Sequence, residues 1–163
     1  MAQRSAISRL NRIASTAYAV VVIVPAAIVV VFLVGSLILS GGQVSETMDA
    51  KWGVVAAYPL FAVSTALLVA LAVLSVVLAI VVVATARADD LPGLRGLIGP
   101  TVAAIISSVL LSGLVPDGGT RVGDVVWGDQ WIAAPISAVA LVILLAGTAI
   151  VKSRAASAVG PNR

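Results

Sequence analysis

The chain has 163 residues, of which 61% are hydrophobic and only 10% are charged. Its mean hydropathy is +1.17. A soluble domain carries about 25% charged and roughly 45–50% apolar residues, and a fold of this size cannot bury so large an apolar excess. The composition therefore excludes an ordinary water-soluble domain and predicts an integral membrane protein in contact with the lipid bilayer.

The missing residue types exclude several chemistries. The chain has no cysteine and no histidine, which excludes disulfides, thiolate zinc and iron–sulfur sites, histidine-ligated haem and histidine acid–base catalysis. The net charge is +3, but the basic residues lie between apolar runs and at the chain ends rather than on one polar face. That distribution argues against nucleic-acid binding. We expect no cofactor, no metal site and no enzyme activity.

A basic tail precedes the first apolar segment. Residues 1–12 contain Arg4, Arg9 and Arg12 and no acid, and an apolar run follows over about residues 14–39. A secretory signal peptide also begins with basic residues, but its apolar core is only about 7–15 residues long. Because this run is much longer and lacks a persuasive cleavage site, an uncleaved first transmembrane helix is the favoured interpretation.

The second apolar segment covers about residues 53–86. At a rise of about 1.5 Å per residue it is roughly 50 Å long as a helix, against a hydrocarbon core of about 30 Å. Two spans would need about 40 residues and a turn, and no glycine or asparagine lies in the middle of the segment to form one. One helix, tilted or kinked at Pro59, is predicted.

Two further segments complete the prediction. The third, about residues 96–115, contains Gly99, Pro100 and several serines that weaken its insertion, so a re-entrant segment is the alternative to a full span. The fourth, about residues 131–151, is followed by a polar tail over residues 152–163 with Lys152 and Arg154.

The distribution of charge favours four spans over three. With four spans, eight basic residues fall on the side of the chain ends and two on the other side, which also carries five of the seven acids. Cytoplasmic loops are enriched in lysine and arginine, so both termini are predicted to be cytoplasmic. Arginine-rich and alanine-rich usage suggests a GC-rich bacterial genome, hence a bacterial plasma membrane. The eight basic residues are Arg4, Arg9, Arg12, Arg87, Arg95, Lys152, Arg154 and Arg163; the two are Lys51 and Arg121.

The predicted fold class is therefore all-α: a single membrane domain formed by a four-helix antiparallel transmembrane bundle. Tryptophan prefers the membrane–water interface, and Trp52, Trp127 and Trp131 all fall on the outer side of this arrangement, where we expect them to act as interface anchors.

Small residues recur at four-residue spacing on the second and third helices. Such stripes allow two backbones to approach closely, and serine hydroxyls can form hydrogen bonds between helices. We expect them to mark packing within the chain, and contact with another subunit is the alternative. The helix-packing candidates are Ala62, Ala66, Ala70, Ser75 and Ala79 on the second helix and Ala104, Ser108 and Ser112 on the third.

Each predicted span also contains one proline. Proline frees the backbone carbonyl one turn earlier, and interrupted helices can line binding sites in transporters. Proline is common in membrane helices without such a role, and that interpretation is favoured here. The four prolines are Pro25, Pro59, Pro100 and Pro135.

No Asp, Glu, Lys, Arg or His lies inside any predicted span. Ionisable residues within the bilayer usually mark ion paths, proton relays or substrate sites, so their absence argues against a carboxylate-coupled transporter. We expect a non-catalytic accessory or interaction subunit of a membrane assembly, with other membrane proteins or further copies of itself as partners. The alternative is a self-associating pore, a holin-like protein or a small transporter for an uncharged or apolar substrate.

The predicted topology can be tested with single cysteines, because the chain has none of its own. In intact cells, a membrane-impermeant maleimide is expected to label Gly119→Cys and to leave Ser5→Cys and Ser157→Cys unlabelled. Permeabilised cells provide the control for reactivity. Labelling at position 157 in intact cells would mean an odd number of spans.

Overall fold

The computed structural model describes residues 2–39, 65–113, 121–122, 125–126 and 130–158. Four helices dominate it: α1 (Ala2–Leu39), α2 (Thr65–Thr85), α3 (Leu91–Gly113) and α4 (Ala133–Ala158). Short 3₁₀ turns precede α3 at Ala88–Asp90 and α4 at Gln130–Ile132. Two strands of two residues, Arg121–Val122 and Val125–Val126, pair antiparallel between α3 and α4.

All four helices are long and apolar enough to cross a membrane. They pack against one another as a bundle, which confirms the predicted fold class. The third segment is a continuous helix of 23 residues, and this length favours a full span over a re-entrant segment. The chain is therefore a multi-pass membrane protein.

Helix directions alternate along the chain, but the helices do not follow one another around the bundle. Helix α1 packs on α2 and α3, and α4 packs on the same two helices, so the order around the bundle is α1, α2, α4, α3. The consecutive helices α2 and α3 are thus diagonally opposite, and the short connection between them crosses the end of the bundle. Asn11 near the start of α1 contacts Thr85 at the end of α2, which shows that these two helices run antiparallel.

Each helix buries a narrow stripe of residues spaced alternately three and four apart. This spacing is that of helices packed with small left-handed crossing angles, as in coiled coils. Between the stripes and the lipid, the outer faces carry valine, leucine and isoleucine that remain exposed. The buried stripes are Asn11, Ala14, Tyr18, Val22, Pro25 and Val29 in α1; Leu68, Ala72, Ser75, Ala79 and Val82 in α2; Leu94, Leu97, Thr101, Ala104 and Ser108 in α3; and Ala133, Ser137, Ala140, Leu144, Gly147 and Val151 in α4.

Three predicted boundaries differ from the structure. Helix α1 includes most of the tail assigned to residues 1–12, α3 begins at Leu91 rather than near 96, and α4 continues past 151 to Ala158. Pro92 fits α3 because proline is tolerated in the first turn of a helix. The charged residues described in these extra turns, such as Arg9, Arg12 and Lys152, are exposed at the bundle end, where water can solvate them. The parts of the predicted second and third spans over residues 53–64 and 114–115 lie outside the described residues.

The closest approach between α2 and α4 is at Gly147. A Cβ atom added there would stand 2.7 Å from Cγ1 of Val83 and overlap its second methyl group. Valine in a helix has essentially one favoured rotamer, so Val83 cannot swing aside. Gly147 is therefore required by packing, whereas a Cβ atom added at Gly96 of α3 would meet no atom within 4 Å beyond its adjacent residues and its own helix backbone.

This contrast gives a matched pair of substitutions. Gly147→Ala is expected to lower the free energy of unfolding by up to about 2 kcal/mol, because overpacking of about 1–3 kcal/mol outweighs the gain of about 1 kcal/mol in helix propensity. Gly96→Ala keeps that gain without the overlap and should leave the stability of the isolated chain unchanged or higher. Thermal unfolding in detergent measures both, and equal midpoints for the two variants would contradict the packing of α2 on α4.

Candidate functional site

The small residues proposed as helix-packing positions divide into two groups. Ser75, Ala79, Ala104 and Ser108 are buried in the bundle, whereas Ala66 and Ala70 are exposed on the outer face of α2. Ala66 and Ala70 therefore do not pack against the described part of the chain, which leaves contact with another subunit as the alternative for these two positions. Residues four apart drift by about 40° per step around a helix of 3.6 residues per turn, and this drift carries the alanines away from the face that α2 buries. Ala62 and the side chain of Ser112 lie outside the described residues.

Of the three proposed interface anchors, the structure describes the side chain of one. Trp131 lies in the 3₁₀ turn before α4 and is 53% exposed. It is at the end of the bundle opposite the chain termini, where an indole would meet a membrane surface. Trp52 and Trp127 lie outside the described residues, so their anchoring role stays a prediction.

Asn11 joins α1 to the end of α2. Its side-chain amide donates hydrogen bonds to the carbonyl of Val82 at 3.0 Å and to Oγ1 of Thr85 at 2.9 Å. The last four carbonyls of a helix have no partner within it, and the backbone N–H of Ala86 donates to Val83 instead of Val82. Asn11 therefore acts as a side-chain cap for α2, supplied by a neighbouring helix.

A second polar contact joins α1 to α3. The hydroxyl oxygens of Tyr18 and Thr101 are 2.7 Å apart, and both side chains are completely buried. The Thr101 hydroxyl donates to the carbonyl of Leu97 at 2.7 Å, which uses its only proton. The Tyr18 hydroxyl is therefore the donor to Thr101, and this hydrogen bond fixes the height of α1 against α3.

Three serines approach one another further along the bundle, each from a different helix. Ser75 of α2, Ser108 of α3 and Ser137 of α4 line one small cavity, together with Pro25 of α1. Ser75 donates to the carbonyl of Ala72 at 2.7 Å and Ser108 to that of Ala104 at 2.9 Å. Among the residues that the structure describes, the hydroxyl group of Ser137 has no hydrogen-bond partner.

The residues on the outer face of α3 have unusually small side chains near the start of the helix. Gly93, Gly96 and Gly99 are exposed, and a Cβ atom added at any of them would meet no atom within 4 Å. Ala103 continues this face one turn later and is also exposed. We call Gly93, Gly96, Gly99 and Ala103 the glycine face. It carries no side chain larger than a methyl group and is exposed on the outer side of the bundle.

Basic side chains gather at the end of the bundle that carries the start of α1 and the end of α4. Six of them are exposed there, and Asp90 accepts a hydrogen bond from the backbone N–H of Arg87 at 2.9 Å at the start of the turn into α3. We call this the basic end. Its six described cations are Arg9, Arg12, Arg87, Arg95, Lys152 and Arg154.

The chemistry that the described interior offers is hydrogen bonding alone. Its buried polar side chains are one asparagine, one threonine and four serines, besides the Tyr18 hydroxyl. None of them is a base strong enough to activate a serine nucleophile. Within the described residues, no three acidic side chains lie close enough together to hold a metal ion.

Several of these residues were not singled out by the sequence analysis. Asn11 lies in the predicted polar tail, and Tyr18, Ser137 and Gly147 lie within predicted apolar spans at positions that no motif marks. A signal was present nonetheless, because small or polar residues recur with alternating spacings of three and four in all four helices. That spacing identifies the buried face better than the four-residue alanine stripe does.

Comparison of the chain with protein-family models, with curated proteins and with solved structures found no match. The arrangement of its own residues is therefore the basis for a functional assignment.

Proposed function

We propose that this chain is a non-catalytic interaction subunit that packs laterally, through the glycine face of α3, against a helix of another membrane protein subunit. The observation that carries the proposal is the open space around Gly96 and Gly99. The described interior of the chain forms hydrogen bonds between its own helices. It contains no acidic or basic side chain that could take part in a reaction.

The argument rests on the cost of glycine in a helix. A glycine in a helix interior is about 1 kcal/mol less favourable than alanine, so Gly96 and Gly99 together cost roughly 2 kcal/mol. Gly147 offsets such a cost by allowing α2 to approach, but Gly96 and Gly99 have no neighbour within 4 Å of an added Cβ. A helix of a partner that approaches the bare backbone would supply the missing contacts, as small-residue faces do in membrane helix association.

The exposed alanines of α2 are a weaker candidate for the same role. Ala66 and Ala70 also face outward, but alanine is the most favourable residue in a helix. Its presence on an outer face therefore requires no partner. The glycine face of α3 lies on the opposite side of the bundle. Its unfavourable glycines are accounted for if a partner helix packs on them.

The proposal includes a setting for the chain. We place it in a bacterial plasma membrane with the basic end in the cytoplasm, because six exposed cations gather there and cytoplasmic segments are enriched in lysine and arginine. The partner helix would then meet α3 in the cytoplasmic half of the bilayer, since Gly96 and Gly99 follow Arg95 by less than two turns.

The test is to replace a glycine of this face with a large residue. Gly96→Leu is expected to weaken assembly at least tenfold, a change of about 1.4 kcal/mol, because the side chain would occupy the space that the partner helix requires. The stability of the isolated chain should be unchanged or higher, since leucine is a better helix former than glycine. Native gel electrophoresis after mild detergent extraction measures the assembly, and thermal unfolding measures the stability.

The matched control is Ala70→Leu, an exposed small residue on the opposite side of the bundle. It should leave the assembly intact. Full assembly of Gly96→Leu would remove the glycine face as the interaction surface. If the wild-type assembly contains only copies of this chain and conducts solutes in liposomes, the self-associating pore replaces the accessory subunit as the better account.

A further inference from the structure

The serine cavity lies at a depth where no bulk water is present. It is lined by residues of all four helices. Ser108 is fourteen positions along α3 from Leu94 at the basic end, which corresponds to roughly 20 Å at about 1.5 Å per residue. The cavity is therefore well inside a hydrocarbon core about 30 Å thick.

Its polar groups point to a ligand that forms several hydrogen bonds. The serines that line it, Ser75, Ser108 and Ser137, are 2%, 1% and 5% exposed. Ser75 and Ser108 each use their proton on a carbonyl of their own helix, so each retains oxygen lone pairs as acceptors. The Ser137 hydroxyl has no hydrogen-bond partner within the described part of the chain. It is therefore a buried group that can both donate and accept a hydrogen bond.

Helix α1 contributes a fourth polar group. Pro25 lies inside α1 and lines the cavity together with Val21. Proline has no N–H, so the carbonyl of Val21 lacks the donor that a helix normally provides four residues later. An acceptor without its helical partner therefore stands beside three serines, at the same level of the bundle.

The size and charge of the cavity select among small ligands. Its volume is about 10 Å³, which is about the room that one water molecule requires. A cation of similar size would need a compensating negative charge, because an isolated charge is expensive within the bilayer. The residues that line the cavity include no acid. A neutral ligand with both donors and acceptors satisfies the serines without that cost.

We propose that the serine cavity binds a single structural water, which donates to the oxygens of Ser75 and Ser108 and accepts a hydrogen bond from Ser137. A buried water typically forms about three hydrogen bonds, and these three would connect α2, α3 and α4 at one point. The water completes the interior polar contacts of the bundle, beyond the lateral interaction that the glycine face supplies.

Thermal unfolding of serine variants in detergent tests the proposal, because a bound water and a dry cavity predict Tm changes of opposite sign. With a bound water, Ser137→Ala removes one of its partners and should lower Tm by about 2–4 °C. In a dry cavity the same hydroxyl is buried and unsatisfied, so its removal would raise Tm. The double variant Ser108→Ala/Ser137→Ala should lose less than the sum of the single changes, because both serines bind the same water.

Ser107→Ala is the matched control, since Ser107 is buried on α3 beside Ser108 but does not line the cavity. It should show no coupling to Ser137→Ala. A direct measurement is water-to-protein magnetisation transfer in lipid nanodiscs, where transfer to Ser137 is expected in wild type and not in Ser108→Val, whose larger side chain fills the cavity. Absence of transfer in wild type, or a rise in Tm for Ser137→Ala, would overturn the proposal.

Discussion

Lipid tails are as apolar as the valine and leucine side chains of this chain, so its helices gain little by hiding those side chains from their surroundings. Association must come from close packing and from hydrogen bonds that have no alternative partner in hydrocarbon. The buried stripes meet both needs. They place alanine, glycine and serine where helices cross, and they place Asn11, Tyr18 and Thr101 where α1 meets α2 and α3. The rest of the architecture depends on these contacts.

The order of helices around the bundle follows from where such contacts can form. Gly147 allows α4 to approach α2 at Val83, and the Tyr18–Thr101 hydrogen bond holds α1 beside α3. Each of these pairs runs in the same direction along the bundle. The two consecutive helices α2 and α3 are left on a diagonal, joined by a short connection that the Asp90 carboxylate helps to close at the backbone N–H of Arg87. The glycines on the outer face of α3 are exposed in this arrangement.

Hydropathy predicted the four spans and the all-α class because a bilayer requires long apolar segments whatever their packing. Hydropathy could not predict where α3 begins or where α4 ends, because helical turns that leave the bilayer are as polar as loops. It also could not identify the buried faces by amphipathic contrast, because both sides of each helix are apolar. The alanine stripe at Ala66 and Ala70 was misleading for a related reason: alanine is at once a packing residue and the best helix former. The polar residues Asn11 and Ser137, at positions of the alternating spacing, carried the better signal. The side of the membrane on which each chain end lies was predicted from the distribution of basic residues alone. It stays a prediction.

Disulfide cross-linking in the cysteine-free chain tests most directly the order of the helices around the bundle. A disulfide needs Cβ atoms about 4 Å apart. Paired cysteines at Val83 of α2 and Gly147 of α4 are expected to cross-link in native membranes, because a Cβ atom at position 147 would stand 3.1 Å from Cβ of Val83. A pair at Val82 of α2 and Leu97 of α3, at a similar depth on diagonal helices, is expected not to react. Efficient linkage of positions 82 and 97, with none between 83 and 147, would place α2 beside α3 and contradict the arrangement.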